Sequence, residues 1–337
     1  MGLKSPEWSK SDHNGDSTDP VTGRVTLPGP RWFWAVARRA AQLAVVLLVI
    51  STVLFFLLRL SGDPAVVLAG EFADPEFLAQ VRQRYGLDRG LLSQYTSFMA
   101  RAVRLDFGTS VQAGTDALGR VLDRAPSTIQ LAAMAVLVNT LVAVPLGAWI
   151  GARPNGRPQA VASGGLFVGQ GVPGYVTGLL LIQVFAVELG WLPSIGNRGR
   201  WAWVLPVMTL AAFQIPRLTR VVASNVTEAM DEDYVRTARA NGAGQREVVV
   251  RHAVPNAVLG ATALIGGQFA FLLSGALITE VIFAWPGLGG LLVDSVRELD
   301  FPVVQAGVFV VAVLVFAVNL IVDVLLGLLD PRIRTRR

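Results

Sequence analysis

Few residues in this chain could carry chemistry, and what is missing narrows the possibilities as much as what is present. None of the 337 residues is cysteine, which excludes disulfides, thiolate metal ligands and cysteine nucleophiles. Histidine occurs only at His13 and His252, too far apart in sequence to suggest a zinc cluster, so no metal site is expected. Lysine occurs only at Lys4 and Lys10, so a phosphate-binding loop ending in Gly-Lys-Ser/Thr cannot be built. If ATP drives this protein, another chain must bind it. Long apolar stretches do hold isolated polar groups: Asn139, Gln170, Gln183, Gln214, Gln268 and Asn319, with Glu280 and Asp323 at their ends. Such groups usually face a bundle interior, where they either bond a neighbouring helix or line a pathway. No paired carboxylates stand within the apolar stretches, so no catalytic residue is assigned and an intramembrane enzyme is excluded.

The elements that would position these groups are membrane helices. Hydrophobic residues make up 53% of the chain and charged residues only 16%, against about a quarter in soluble domains. Mean hydropathy is +0.52. The formal charge of +5 comes from arginines beside apolar runs rather than on a stripe with aromatics, which argues against nucleic acid as a partner. Measured against the roughly 20 residues that cross hydrocarbon, the uncharged runs predict about six spans: Ala40–Leu58, Ala125–Ala152, Gln159–Val187, Trp201–Pro216, Ala253–Thr279 and Pro302–Val322. The expected class is therefore an all-α integral membrane protein, multi-pass in the bilayer.

Arginine in the short connections orients these spans. Arg31, Arg38 and Arg39, then Arg153 and Arg157, then the run from Arg217 to Arg251, and finally Arg332 to Arg337 fall on one face, which is read as cytoplasmic with both termini. Trp149, Trp191, Trp201, Trp203 and Trp285 stand near predicted span ends, where amphipathic rings prefer to lie. The expected divisions are a disordered cytoplasmic tail (1–30), a first transmembrane helix (31–60), an extracytoplasmic loop (61–124), a membrane core (125–328) that includes a cytoplasmic loop (225–256), and a short cytoplasmic tail (329–337). Apolar residues between Pro75 and Arg104 recur at helical spacing with breaks near Gly86 and Gly90, predicting two amphipathic helices in the long loop. They would either cap the bundle or form a platform for an extracytoplasmic partner.

Glycines recur four apart at Gly147 and Gly151, Gly165 and Gly169, and Gly174 and Gly178, a spacing that lets membrane helices approach closely. Pro145, Pro173, Pro206 and Pro216 interrupt regular helix inside spans. The cytoplasmic loop predicts a short polar helix over Glu228–Ala240 stopped by Gly242, then a second over Gln245–His252. Ala238, Ala240 and Ala243 give a low-relief face suited to a groove on another protein.

This loop resembles the signature of bacterial ABC importer permeases, a Glu-Ala-Ala triplet followed by glycine and ended by an apolar-x-Leu-Pro sequence. Arg236, Thr237 and Ala238 stand at the triplet, Gly242 at the glycine, His252 at the apolar position and Val254-Pro255 at the end. The run from Tyr234 through Arg239 and Ala240 to Gly242 is similar to the variant in the oligopeptide/dipeptide subfamily. Four further pieces resemble that subfamily: Arg59-Leu60-Ser61-Gly62-Asp63-Pro64, Tyr85-Gly86-Leu87-Asp88 with Gln94-Tyr95, Leu105 to Ser110, and Glu280 to Gly289. Leu329-Asp330-Pro331-Arg332 completes the match, and the long loop resembles the first permease of the pair.

The resemblance implies half of a translocation pathway for dipeptides or oligopeptides in the bacterial inner membrane. It implies a second homologous permease, two ATPase subunits that bind the ATP and magnesium, and an extracytoplasmic substrate-binding protein. The residues that would couple to the ATPase are Tyr234, Arg236, Thr237, Ala238, Arg239, Ala240, Gly242, His252 and Pro255. Asn139, Gln170, Gln183, Gln214, Gln268, Glu280 and Asn319 are the pathway candidates. Related permeases with these motifs also serve glutathione and nickel chelates. An ATP-independent secondary transporter would explain the spans but not the loop.

Overall fold

The computed structural model describes residues 31–329 except for 62, 70–72, 154–155 and 197–198. The expected tail over 1–30 and residues 330–337 lie outside the described residues. The chain divides into a unit up to Gln42 and a unit from Leu43 onward, and apart from the first residues of one helix the architecture that follows belongs to the second.

Helix α1 spans Arg31–Ser61. Three short helices follow: α2 (Pro64–Ala69), α3 (Pro75–Tyr85) and α4 (Leu91–Val103). The last two are the amphipathic pair that the spacing predicts. Pro75 opens α3, and Gly86, at φ 66°, closes it in the left-handed conformation. Phe98 and Ala102 of α4 are buried with Phe55 of α1.

The core begins with α5 (Ala117–Gly151), capped by the Asp116 carboxylate accepting from the Gly119 amide. Next come α6 (Arg157–Gln170) and α7 (Gly174–Leu181), the latter continuing as a π-helical segment over Ile182–Glu188. The expected third span is thus not one straight helix: α6 and the segment from Gly174 bend by 100°. Gly171 and Pro173 explain the break, since the proline cannot donate to the preceding turn. Then α8 (Val204–Met230) runs about four turns past Pro216, well beyond the expected end of the fourth span.

The chain turns through α9 (Asp233–Ala240) and α10 (Gln245–Glu247) into a π-helical segment, Val248–Ala253, that leads directly into α11 (Val254–Gly275). Three helices complete the fold: α12 (Leu277–Ile282), α13 (Leu288–Arg297) and α14 (Phe301–Leu329). Among the described residues there is no named strand. Four helical stretches are long and apolar enough to cross a membrane: Ala37–Leu57, Ala117–Gly151, Gln245–Gly275 and Phe301–Gly327. The bent α6–α7 pair makes a fifth if it is a single span. The 27 residues of α8 are long enough, but Gln214, Arg217 and Arg220 dilute its apolar character.

Helix α8 nevertheless shares the layer crossed by α5, because the two pack along their length. Leu131, Ala132 and Ala135 of α5 cluster with Val207 and Leu210, and further along Ala143 and Ala148 cluster with Leu218, Val222 and Val226. The approach is closest at two glycines. A Cβ on Gly147 would lie 2.8 Å from the Thr219 carbonyl oxygen, and one on Gly151 would run into the Ala223 carbonyl. The other glycine pairs differ: among the described residues a Cβ on Gly165, Gly169 or Gly174 would meet nothing within 4 Å, while Gly178 faces Thr209. Identical spacing in sequence therefore marks one backbone seam and one open helix face.

This contrast predicts that Gly151→Leu costs about 3 kcal/mol or more through overpacking, whereas Gly165→Leu is tolerated. Thermal unfolding of the detergent-solubilised variants, with their monodisperse yield, measures it; equal melting of the two would mean that the seam is not tight.

Candidate functional site

Two constructions stand at opposite ends of the bundle. At the α9 end, α8 terminates at Met230, so the single polar helix expected over Glu228–Ala240 is split in two by a turn. Val235 and Val248 are fully buried and pack with Met230, Ala253 and Ala257, which seats α9 on the core. Gly242 stops the segment at φ 89°, a conformation favourable only for glycine, and the Ala243 amide donates back to the Ala238 carbonyl at 3.0 Å.

With Val235 inward, the other side of α9 is presented outward. Tyr234, Arg236, Thr237, Arg239 and Ala240 are exposed, and Ala238 is half-buried against the core. Arg236 pairs with Asp233 at 3.1 Å on the surface. His252 is half-buried, and Pro255 is exposed. The expected second helix, Gln245–His252, is α10 joined to the π-helical turn and has no separate end before α11. This end is tied to the core by polar bonds: Thr227 Oγ1 donates to the Gly151 carbonyl at 3.1 Å, and Asn225 Nδ2 to the Ala257 carbonyl at 3.0 Å.

At the α13 end, a buried carboxylate organises the loop between α12 and α13. Glu280 is fully buried. One of its oxygens accepts from Thr128 Oγ1 at 2.7 Å, and the other from the Gly289 and Gly290 amides at 2.6 and 3.3 Å. Thr128 Oγ1 also accepts from the Leu288 amide at 2.8 Å, and the Trp285 indole donates to the Ser127 carbonyl at 3.1 Å. The carboxylate thus sits at the N-terminus of α13, where amides converge and the helix dipole favours negative charge. A Cβ at Gly287 or Gly289 would collide with Glu280, so both glycines are steric requirements of this seat.

A second buried carboxylate, Asp300, holds the 106–116 loop. It accepts from Ser110 Oγ and, at 3.2 Å, from the Val111 amide. Arg120 donates to Ser110 Oγ at 2.6 Å and lies 3.8 Å from Asp300. The segment between α1 and α4 is cross-linked similarly. Arg59 donates to Gln94 and lies over the Phe55 ring, Tyr95 shares a hydrogen bond of 2.8 Å with Thr52, and Arg82 pairs with Asp63 at 2.7 Å. The hydrogen bond from Arg82, with one from the Ala65 amide, holds the Asp63 carboxyl below the usual carboxylate range. Leu105, Ala284 and Leu299 take positive φ without being glycine, and all three flank these clamps.

The polar groups within the spans separate into distinct settings. Asn139 and Gln268 are buried, with Asn139 Nδ2 donating to Gln268 Oε1 at 2.7 Å, while Asn139 Oδ1 and Gln268 Nε2 have no partner among the described residues. Gln214 is also buried and, by the α5–α8 register, falls at a similar height. Gln170 accepts from Arg220 at 2.8 Å. Gln183, exposed, bonds Glu188, and Asn319 bonds back to its own helix at the Val315 carbonyl. Thr128, Asp300 and Arg120 were not singled out by sequence reasoning; a hydroxyl or carboxylate at a helix boundary gives no periodic signal.

Comparison with known proteins places these constructions in context. A family model described as "Binding-protein-dependent transport system inner membrane component" matches residues 143–335, and one for the N-terminal part of such membrane components matches residues 33–132. The chain is 36% identical over 304 residues to the "Glutathione transport system permease protein GsiC" of Escherichia coli (strain K12), covering 89% of this chain and 98% of that protein. The protein of the same name from Salmonella choleraesuis is 36% identical over 300 residues, with the same coverage. A solved structure titled "Crystal structure of an amino acid ABC transporter with histidines" has a TM-score of 0.47 at 21% identity, covering 64% of this chain and 94% of that one.

The Glu280 seat predicts that Thr128→Val costs about 2 kcal/mol, because the buried carboxylate loses a donor and the Leu288 amide an acceptor. Thr140→Val, which removes only a bond within its own helix, is the control. Thermal unfolding of both variants checks this, with Thr128→Ser expected to restore the melting temperature.

Proposed function

Because the chain belongs to the binding-protein-dependent transport system inner membrane components and is an ABC importer permease, we propose that it carries peptide-like cargo, from dipeptides to oligopeptides and glutathione. The observation that supports this cargo is the 36% identity to GsiC across 98% of that protein, whose name specifies glutathione. The motifs similar to oligopeptide/dipeptide permeases point to the same chemistry.

In this reading the α9 end faces the cytoplasm, together with both termini. A second homologous permease completes the pathway, an extracytoplasmic binding protein delivers cargo at the α13 end, and two ATPase subunits bind ATP and magnesium. Helix α9 is the docking element. Tyr234, Arg236, Thr237, Arg239 and Ala240 face the ATPase, Ala238 lets α9 lie close to its seat, and Gly242 sets the turn behind it. His252 and Pro255 hold the return toward the membrane.

Coupling then follows from differential contact with two states of the ATPase pair. Closure of that pair shifts α9 on its Val235 anchor. Because Gln245–Gly275 forms one helical stretch, the shift passes along α11 toward α12 and the Glu280 seat. The chain itself supplies no nucleotide chemistry in this scheme; it converts displacement at one end into exposure of the pathway at the other.

Two substitutions test the docking assignment. Ala240→Arg places bulk on the exposed face of α9, and Gly242→Pro cannot adopt the observed positive φ. Each should lower recovery of the ATPase with the affinity-purified permease at least tenfold, with membrane insertion unchanged. Normal recovery in both would sink the assignment. Competition assays on the intact importer in vesicles test the cargo: unlabelled tripeptide should suppress uptake of labelled glutathione or dipeptide, and a nickel chelate should not.

A further inference from the structure

The arginines of α8 serve neither the docking helix nor the buried clamps. This helix exposes one stripe, Phe213, Arg217, Arg220, Ser224 and Glu228, spaced three and four residues apart, while Leu218, Thr219, Val222 and Val226 between them are buried. The stripe becomes polar within the apolar layer. Gly147 of α5 meets Thr219 and Val222, so Arg217 and Arg220 lie level with the α5 segment around Gly147, before Trp149 and Arg153. On the opposite side, Asn225 is bonded level with Ala257 of α11. Arg217 is two turns before Asn225, about 12 Å back along α8 at about 1.5 Å per residue.

Guanidinium groups on a helix packed into an apolar layer turn toward the interface, a wet cavity or another polar surface. Neither arginine is ion-paired with a carboxylate among the described residues. Arg220 instead donates to Gln170 of α6 at 2.8 Å, which holds its side chain across the helix surface. The carboxylate on the same stripe, Glu228, lies two turns toward the α9 end and receives the Ser224 hydroxyl at 3.3 Å.

We infer that Arg217 and Arg220, with Gln170 positioning Arg220, form a carboxylate-binding site on the translocation pathway, filled by the carboxylate of the cargo. This rests on the peptide reading above. Two guanidinium groups one turn apart on a single face can grip one carboxylate through parallel charge-assisted hydrogen bonds. A phospholipid phosphate offers similar chemistry, and the comparison of neutral and anionic vesicles below separates the two sources.

The test uses the whole importer, with both permeases, the ATPases and the binding protein, reconstituted into vesicles. Uptake of a labelled tripeptide is measured for the wild type, the double variant Arg217→Gln/Arg220→Gln, and the double variant Arg217→Lys/Arg220→Lys. The glutamine pair should cut uptake at least about tenfold, the scale of a lost charge-assisted hydrogen bond. The lysine pair keeps the charge but not the fork, so its uptake should fall between the glutamine pair and the wild type, and ATP hydrolysis stimulated by the loaded binding protein should remain near wild type in both.

Wild-type uptake by the glutamine pair, or equal loss in the glutamine and lysine pairs, overturns the site. Vesicles of neutral phosphatidylcholine and vesicles containing phosphatidylglycerol are compared in parallel. Dependence on the arginines only in the anionic vesicles assigns them to a lipid and overturns the cargo site. A wild-type importer that hydrolyses ATP but moves no tripeptide overturns the peptide reading itself, and the inference with it.

Discussion

Close backbone contact between α5 and α8 is the constraint on which the rest of this architecture depends. In a bilayer, lipid tails are as apolar as leucine, so helices gain little by hiding side chains from their surroundings and associate through dispersion and hydrogen bonds instead. Gly147 and Gly151 remove the side chains that would keep the helices apart, and the α8 backbone fills the space. The seam sets the rotation of α8. With Thr219, Val222 and Val226 turned toward α5, Arg217 and Arg220 must turn away. It also sets height, bringing Gln214 level with Asn139 and fixing where α9 emerges.

The two ends of the bundle solve different problems with different materials. At the α9 end, a short helix is seated by valines and presents polar and small residues outward, so it is fixed in place yet chemically available. At the α13 end, buried carboxylates gather backbone amides, and residues held at positive φ adjoin them. Among the described residues Glu280 has no cationic partner; its charge is met by a hydroxyl and the amides at a helix start, an arrangement that tolerates little displacement. Helix α11 connects the two ends, and the π-helical turn at its base places the connection beside the docking segment.

Much of the helical layout was legible in sequence because bilayer thickness imposes a length and polar loops impose boundaries. The amphipathic pair in the long loop was legible through its 3.6-residue period, broken at Gly86 and Gly90. The bend between α6 and α7 was not, although Gly171 and Pro173 were visible: a proline marks a possible break but does not say whether neighbouring helices will straighten it. The glycine pairs had identical spacing, and only tertiary packing distinguished Gly147 and Gly151 from Gly165 and Gly169. At the candidate site, Gly242 and the polar face of α9 could be read from residue types. The partners of Glu280 could not, since Thr128 is separated from it by 152 residues and joined only through the fold.

The arginine stripe of α8 has a consequence for the life of the chain before it is assembled. Wherever no polar surface or wet cavity stands against them, these two permanently charged side chains would face hydrocarbon, drag in water and thin the surrounding lipid. That local defect vanishes once a complementary polar surface or cavity meets the stripe, so these residues make that face of α8 costly to leave bare in a bilayer.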